Sequence, residues 1–148
     1  MSMGILAGGK MKISIVSGGF DPVHVGHIEL FQKARDLSGT LWVILNTDDF
    51  LANKKGQPFM LYEERKVIVK SLRMVDAVVD SVDEDQTVCK TLKQIAGHCS
   101  PRIELLFCNG GDRTSGKNTP EHKLCEKIGI KTIYGLGSKI QSSSWLTK

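Results

Sequence analysis

The sequence predicts an α/β fold, a doubly wound and mainly parallel five-stranded sheet with helices on both faces. Three observations carry that expectation. Short apolar runs alternate with helical patterns along the chain. The run Ile13–Val16, the helical pattern after it and the next run, Thr40–Asn46, are spaced as a βαβ unit, which requires parallel strands and a right-handed crossover. Between the first run and its helix lies a glycine-bearing turn, Ser17–His27. In such folds ligands bind at the carboxyl ends of the strands.

The first helix is marked by Ile28, Phe31, Ala34 and Leu37 at helical spacing, and Gly39 breaks it. After the second strand, the stretch Thr47–Pro58 reads as a short helical turn running into an exposed, glycine-containing loop that carries Lys54 and Lys55. The next helix begins at Leu61 and places Leu61, Arg65, Ile68 and Leu72 on one face, with Val75 following. Val75–Asp80 is the third strand. Asp83, Glu84 and Asp85 should start the next helix, because negative charge suits an N-terminal dipole. Its buried stripe is Val88, Leu92, Ile95 and Ala96, and Cys99-Ser100-Pro101 ends it. Ile103–Cys108 is the fourth strand. A helix runs from Pro120, acceptable in a first turn, to Lys127; Gly129 stops it, and Ile130–Tyr134 is the fifth strand. The alternation is that of a Rossmann-like sheet. Residues 11–148 form one domain. Residues 1–10 show no period; they are a leader, a tag remnant or a stretch before an alternative start at Met11, and carry no assigned function.

The 148-residue length suits one domain with a real core. A net charge of +4 is mild: it suits an anionic small molecule, and no dense Lys/Arg run argues for nucleic acid. No apolar run approaches the roughly 20 residues of a membrane span, and no secretory signal is present, so a cytoplasmic location is expected. Cys89, Cys99, Cys108 and Cys125 form no C-x-x-C pair, which argues against a zinc or redox motif and for buried free thiols in a reducing compartment.

The chemistry concentrates in the turn. Gly18 and Gly19 let a ligand approach the backbone, and helix N-termini suit phosphate. His24 and His27 lie three positions apart, on one side of the first helical turn. A capping or packing role explains one histidine, but not both together with the glycines and Asp21. His24-Val25-Gly26-His27, preceded by Gly19-Phe20-Asp21-Pro22, resembles the HxGH signature of the nucleotidyltransferase superfamily. The resemblance is to its cytidylyltransferase-like branch, spans Lys12 to Leu146, and names the superfamily better than the substrate.

The resemblance extends to other segments. Lys54 aligns with a functional lysine of the glycerol-3-phosphate cytidylyltransferase group, and Lys55-Gly56 looks like the Lys-Gly pair of the heptose 1-phosphate adenylyltransferase group. At least one of the two lysines is expected on the nucleotide phosphates. Tyr62-Glu63-Glu64-Arg65 is similar to a segment whose arginine lies near the active site; the other reading of Arg65 is an ordinary partner on the helix surface. Gly110-Gly111-Asp112 resembles a Gly-Gly-Asp of the heptose-phosphate group, with Asp112 either facing the pocket or capping the turn, and Arg113 is a phosphate ligand by charge and position. The same stretch holds a near match to a P-loop, Gly111 to Gly116-Lys117, but Asn118 stands where the magnesium-binding hydroxyl belongs. Ser142, Ser143 and Ser144 occupy the hydroxyl positions of the family's Ile-Ser-Ser/Thr-Thr phosphate motif. The cytidylyltransferase form of that motif begins with an arginine; here the position is Gly137, with Lys139 the nearest cation, which leans toward the heptose-phosphate side.

The implied reaction joins a nucleoside monophosphate from ATP or CTP to a phosphorylated small molecule, such as a sugar or polyol phosphate, and releases pyrophosphate. The resemblance assigns His24, His27, Lys54 and Lys55 to catalysis. Gly18, Gly19, Phe20, Asp21, Gly26, Arg65, Gly111, Asp112, Arg113 and Ser142 to Ser144 are expected in nucleotide binding, Arg113 by charge and position alone. Mg2+ would bind mainly through the triphosphate, with no protein-held metal. The expected partners are the triphosphate and the acceptor, not nucleic acid or membrane, and a homodimer is possible because similar enzymes commonly form one. Two alternatives stand beside this reading: a cofactor-precursor adenylyltransferase acting on pantetheine phosphate or nicotinamide mononucleotide, and a nucleotide-binding module without turnover. No motif encodes the base preference.

Overall fold

The structure is a computed structural model, and it describes residues 11–110 and 119–136. Five strands form one sheet: β1 (Met11–Gly18), β2 (Leu41–Leu45), β3 (Ala77–Asp80), β4 (Ile103–Cys108) and β5 (Lys131–Ile133). The helices are α1 (Val25–Ser38), α2 (Asp48–Lys55), α3 (Tyr62–Lys70), α4 (Cys89–His98) and α5 (Pro120–Ile128). Strand order is β3-β2-β1-β4-β5, and every pairing is parallel. The expected doubly wound sheet is therefore present, and the order reverses between β1 and β4. The carboxyl ends of those two strands flank the crevice where such sheets take ligands.

Period-two alternation divides the strands between two cores. Val16, Leu41, Val43, Leu45, Leu106 and Cys108 face α1 and α3, where they meet Phe31, Ala34 and Val69. Ile13, Ile15, Ile44, Leu105 and Phe107 face α4 and α5, where they meet Leu92, Ile95 and Cys125. Ser14 is the polar exception on the first face, and its hydroxyl is satisfied by the Ala34 carbonyl at 2.6 Å and the Ser38 hydroxyl at 2.9 Å. Such burial on both faces is why these strands read as continuous apolar runs.

Three sequence expectations change. Residues 51–55 are helical, because Thr47 caps α2 by accepting from the Phe50 amide and helix runs on to Lys55, where Gly56 at φ 93° ends it. The lysines thus stand on a helical turn instead of a loop. Leu61 is not on the buried face of α3: it is the N-cap and is exposed, while Arg65 and Val69 are the buried residues of that helix. The acidic run does not start α4 directly. Asp83 folds back onto it, accepting from the Lys90 and Thr91 amides at 2.8 and 2.9 Å, because the N-cap Val88 has no side-chain acceptor to offer. The four cysteines are free, and burial pushes the thiols of Cys108 and Cys125 up to about 11 and about 12, so both are inert packing groups. No helix among the described residues is long and apolar enough to cross a membrane.

The turn after β1 is closed by the protein's own packing. A Cβ on Gly18 would lie 2.8 Å from the Phe20 ring, and one on Gly19 would lie 2.6 Å from Leu51 Cδ2. Packing is thus a reason for glycine at both positions beside the ligand approach expected from the sequence. Gly19→Ala should cost about 1–3 kcal/mol through overpacking against α2. Urea denaturation measures this, and an unchanged midpoint would contradict the packing.

Candidate active site

His24 and His27 stand at the carboxyl end of β1, and each uses Nδ1 to cap α1. His24 is the N-cap, and its Nδ1 accepts from the Gly26 amide at 3.1 Å. His27 Nδ1 accepts in turn from the His24 amide at 3.2 Å. The two histidines thus form a reciprocal capping box, a task normally given to Ser/Thr and Glu/Gln. Their rings stack 3.7 Å apart at 20°. The Phe20 ring meets the His27 ring edge-on at 4.8 Å and Phe31 at 4.9 Å.

This arrangement sets the charge and the tautomer of the pair. Burial pushes His27 down to about 4, with His24 as a second cause, and burial also lowers His24. Both rings are neutral at pH 7. With each Nδ1 accepting a backbone hydrogen bond, the ring proton sits on Nε2. Two neutral N–H donors therefore stand side by side. Gly26 lies in the same turn, and its amide is spent on His24 Nδ1. Phe20 is a core residue, 5% exposed, with φ at 50°. Its role is to wedge His27, and the left-handed backbone strain it carries is typical of a functional turn.

Asp21 also departs from expectation. It is 2% exposed, and its Oδ2 and Oδ1 accept from the Phe59 and Met60 amides, both at 2.6 Å. Lys55 Nζ lies 2.8 Å from Oδ2 and donates to the Asp21 carbonyl at 3.1 Å. Burial works to raise the Asp21 pKa, but Lys55 and the two amides together hold it below the ordinary value. The carboxylate is a latch between the turn and the segment after α2, and it faces protein on every side. Lys55 is engaged in that latch, whereas Lys54 is exposed and has no ion pair among the described residues.

Arg65 is not a surface residue. It is 0% exposed. Its Nε donates to the Met60 carbonyl at 2.9 Å, and Nη1 donates to the Gly19 and Asn46 carbonyls at 3.0 and 2.8 Å. Nη2 pairs with Asp48 Oδ1 at 2.8 Å, and Asp48 Oδ2 also accepts from the Tyr62 amide at 3.2 Å. The guanidinium thus ties the ends of β1 and β2 to the starts of α2 and α3. Asp48 belongs to no motif in the sequence. The one signal available was a carboxylate just after a strand end, which also suits an ordinary helix start. Asn46 closes the same corner: its amide donates to the Gly18 carbonyl at 3.0 Å, and its buried Oδ1 has no partner.

Gly18, Gly19, Phe20, Asp21, His24, Gly26, His27, Lys55 and Arg65 are thus gathered at one end of β1. Across the crevice, β4 continues to Asn109, whose amide donates to the Ile133 carbonyl at 2.8 Å. Gly111, Asp112, Arg113, Ser142, Ser143 and Ser144 lie outside the described residues, as do Gly137, Lys139 and the rejected P-loop match.

The cytidylyltransferase-like family model matches residues 15–129. The chain belongs to that family. It is 42% identical over 69 residues to the glycerol-3-phosphate cytidylyltransferase of Staphylococcus aureus (strain NCTC 8325 / PS 47), covering 47% of this chain and 52% of that protein. It is 35% identical over 128 residues to the glycerol-3-phosphate cytidylyltransferase of Bacillus spizizenii (strain ATCC 23059 / NRRL B-14472 / W23), covering 86% and 92%. It is 43% identical over 72 residues to the FAD synthase of Thermococcus sibiricus (strain DSM 12597 / MM 739), covering 47% and 49%. The chain spans about half the length of the Staphylococcus and Thermococcus relatives and nearly all of the Bacillus one.

Replacing Arg65 with Met should destabilise the fold by about 3–5 kcal/mol, because Asp48 and three carbonyls lose their partner. Urea denaturation reads this directly. A variant with wild-type stability and weakened nucleotide binding would restore the ligand role that the burial of Arg65 argues against.

Proposed function

We propose that this chain is a nucleotidyltransferase that transfers a nucleoside monophosphate from ATP or CTP to a phosphorylated small molecule and releases pyrophosphate. The observation that carries this reading is the pair of neutral imidazoles, each held by its Nδ1 and offering an Nε2–H, at the sheet's ligand-binding edge.

The chemistry asks for little more than alignment and positive potential. An acceptor phosphate oxygen attacks the α-phosphorus, the bond to the bridging oxygen breaks, and pyrophosphate leaves. The nucleophile is already an anion, so no base or protein nucleophile is needed. The Nε2–H groups of His24 and His27 donate to phosphate oxygens as charge builds on them. A neutral ring suits this task, since it donates a hydrogen bond without giving up a proton. Lys54 adds a cation from the last turn of α2. By the family resemblance, the Ser142, Ser143 and Ser144 hydroxyls complete the cradle. Among the described residues no group of three or more His, Cys, Asp or Glu side chains is placed to hold a metal. In this reading Mg2+ arrives on the triphosphate and neutralises its outer charges.

Two relatives named as glycerol-3-phosphate cytidylyltransferases support a polyol phosphate acceptor. Gly137, in place of the cytidylyltransferase arginine, supports a sugar phosphate and an adenylyl donor. The substrate class is therefore drawn as a sugar or polyol phosphate. Adenylyl transfer to a cofactor precursor is the second reading, favoured by the FAD synthase relative.

A pyrophosphate-release screen with Mg2+ tests the proposal. It crosses ATP and CTP with glycerol 3-phosphate, heptose 1-phosphate, pantetheine phosphate, nicotinamide mononucleotide and riboflavin phosphate. Release with one pair is expected. Triphosphate binding without release from any acceptor would favour a binding module. His27→Asn, which keeps an acceptor for the His24 amide but lacks the reach of Nε2, should lower turnover about 10²–10³-fold with little change in triphosphate affinity. Unchanged turnover would remove His27 from the mechanism.

A further inference from the structure

The two lysines at the end of α2 are not equivalent. Lys55 Nζ is held twice by a single residue, at 2.8 Å from Asp21 Oδ2 and 3.1 Å from the Asp21 carbonyl. Asp21 is 2% exposed, and Lys55 is the cation beside it, so the ammonium cannot turn to a ligand without leaving a buried carboxylate short of its counter-charge. The chain then turns at Gly56 and returns to the same carboxylate through the Phe59 and Met60 amides. Arg65 fixes the Met60 carbonyl from the other side. The last turn of α2 is therefore clamped to the histidine-bearing turn at Lys55, and the segment following it is clamped at residues 59 and 60. Lys54 stands on that clamped turn, exposed and with no ion pair among the described residues.

We propose that Lys55 is a positioning residue whose ammonium, shared between the Asp21 carboxylate and carbonyl, presents Lys54 to the phosphates of the nucleotide. The proposal rests on the nucleotidyl-transfer reading for its ligand. It divides the pair: Lys54 touches phosphate, and Lys55 acts through Lys54.

The test is a double-mutant cycle on the purified protein with Lys54→Met, Lys55→Met, the double variant and Lys55→Arg. It reads kcat and KM for the triphosphate, the triphosphate Kd by calorimetry, and thermal stability. Lys54→Met should lower kcat about 100-fold at unchanged stability. Lys55→Met should lower kcat about 10-fold and lower the melting temperature, because it uncovers Asp21. The double variant should match Lys54→Met within about twofold, since one residue works through the other. Lys55→Arg should recover most of the loss. Losses that multiply to about 1,000-fold in the double variant would make Lys55 a phosphate ligand in its own right and overturn the proposal. A Lys55→Met protein of wild-type stability, or a Lys54→Met protein of wild-type activity, would overturn it as well. If the wild-type protein releases pyrophosphate with no acceptor, the proposed reaction fails on that result. The lysine cycle is then read on triphosphate Kd with the same criteria.

Discussion

The buried guanidinium of Arg65 is the interaction on which the site depends. Four acceptors converge on it: the carbonyls of Gly19, Asn46 and Met60 and the carboxylate of Asp48. They come from the ends of two neighbouring strands and the approaches to two helices, so one side chain fixes the relative position of the segments that line the ligand edge. A strand end leaves carbonyls with no further ladder to join, and a buried carbonyl without a donor is costly. A planar fork of donors meets several of them at once, which a lysine ammonium does less well. Asp21 plays the complementary part. It collects amides where Arg65 collects carbonyls, and the two meet at Met60, whose amide goes to one and whose carbonyl goes to the other.

With that frame in place, the histidine pair needs no further tuning. Each ring caps α1 through Nδ1, and the same bonds that satisfy the helix start decide the tautomer. Burial lowers the pKa of both rings, and for His27 the neighbouring His24 is a second cause. A neutral donor pair at the switch point of a parallel sheet suits a reaction in which both reactants are already anionic. At the helix start the Gly26 amide is used internally, on His24 Nδ1, and the imidazoles carry the outward N–H groups.

The layout of strands and helices was legible in the sequence because both core faces are apolar and turns carry strong signals. Gly39 and Gly129 end helices in the left-handed conformation, and Thr119 and Thr47 cap them. The histidine spacing was legible for the same reason: three residues is one helical turn. What local pattern does not encode is which charged groups turn inward. Arg65 and Asp21 read as polar residues near a ligand, and their burial became visible only once the strands and α2 were in place around them. Lys54 and Lys55 are adjacent and chemically identical in sequence, and only the position of Asp21 distinguishes them.

The state of the two imidazoles tests the account most directly. Two-bond nitrogen–proton spectra of the histidine-labelled protein read charge and tautomer for each ring as pH falls from 7 to 4. The expected result is that both rings are neutral at pH 7 with the proton on Nε2, that His27 gains a second proton only near pH 4, and that both Nε2 signals shift on adding nucleoside triphosphate. A protonated ring at pH 7, or a ring with its proton on Nδ1, would contradict it.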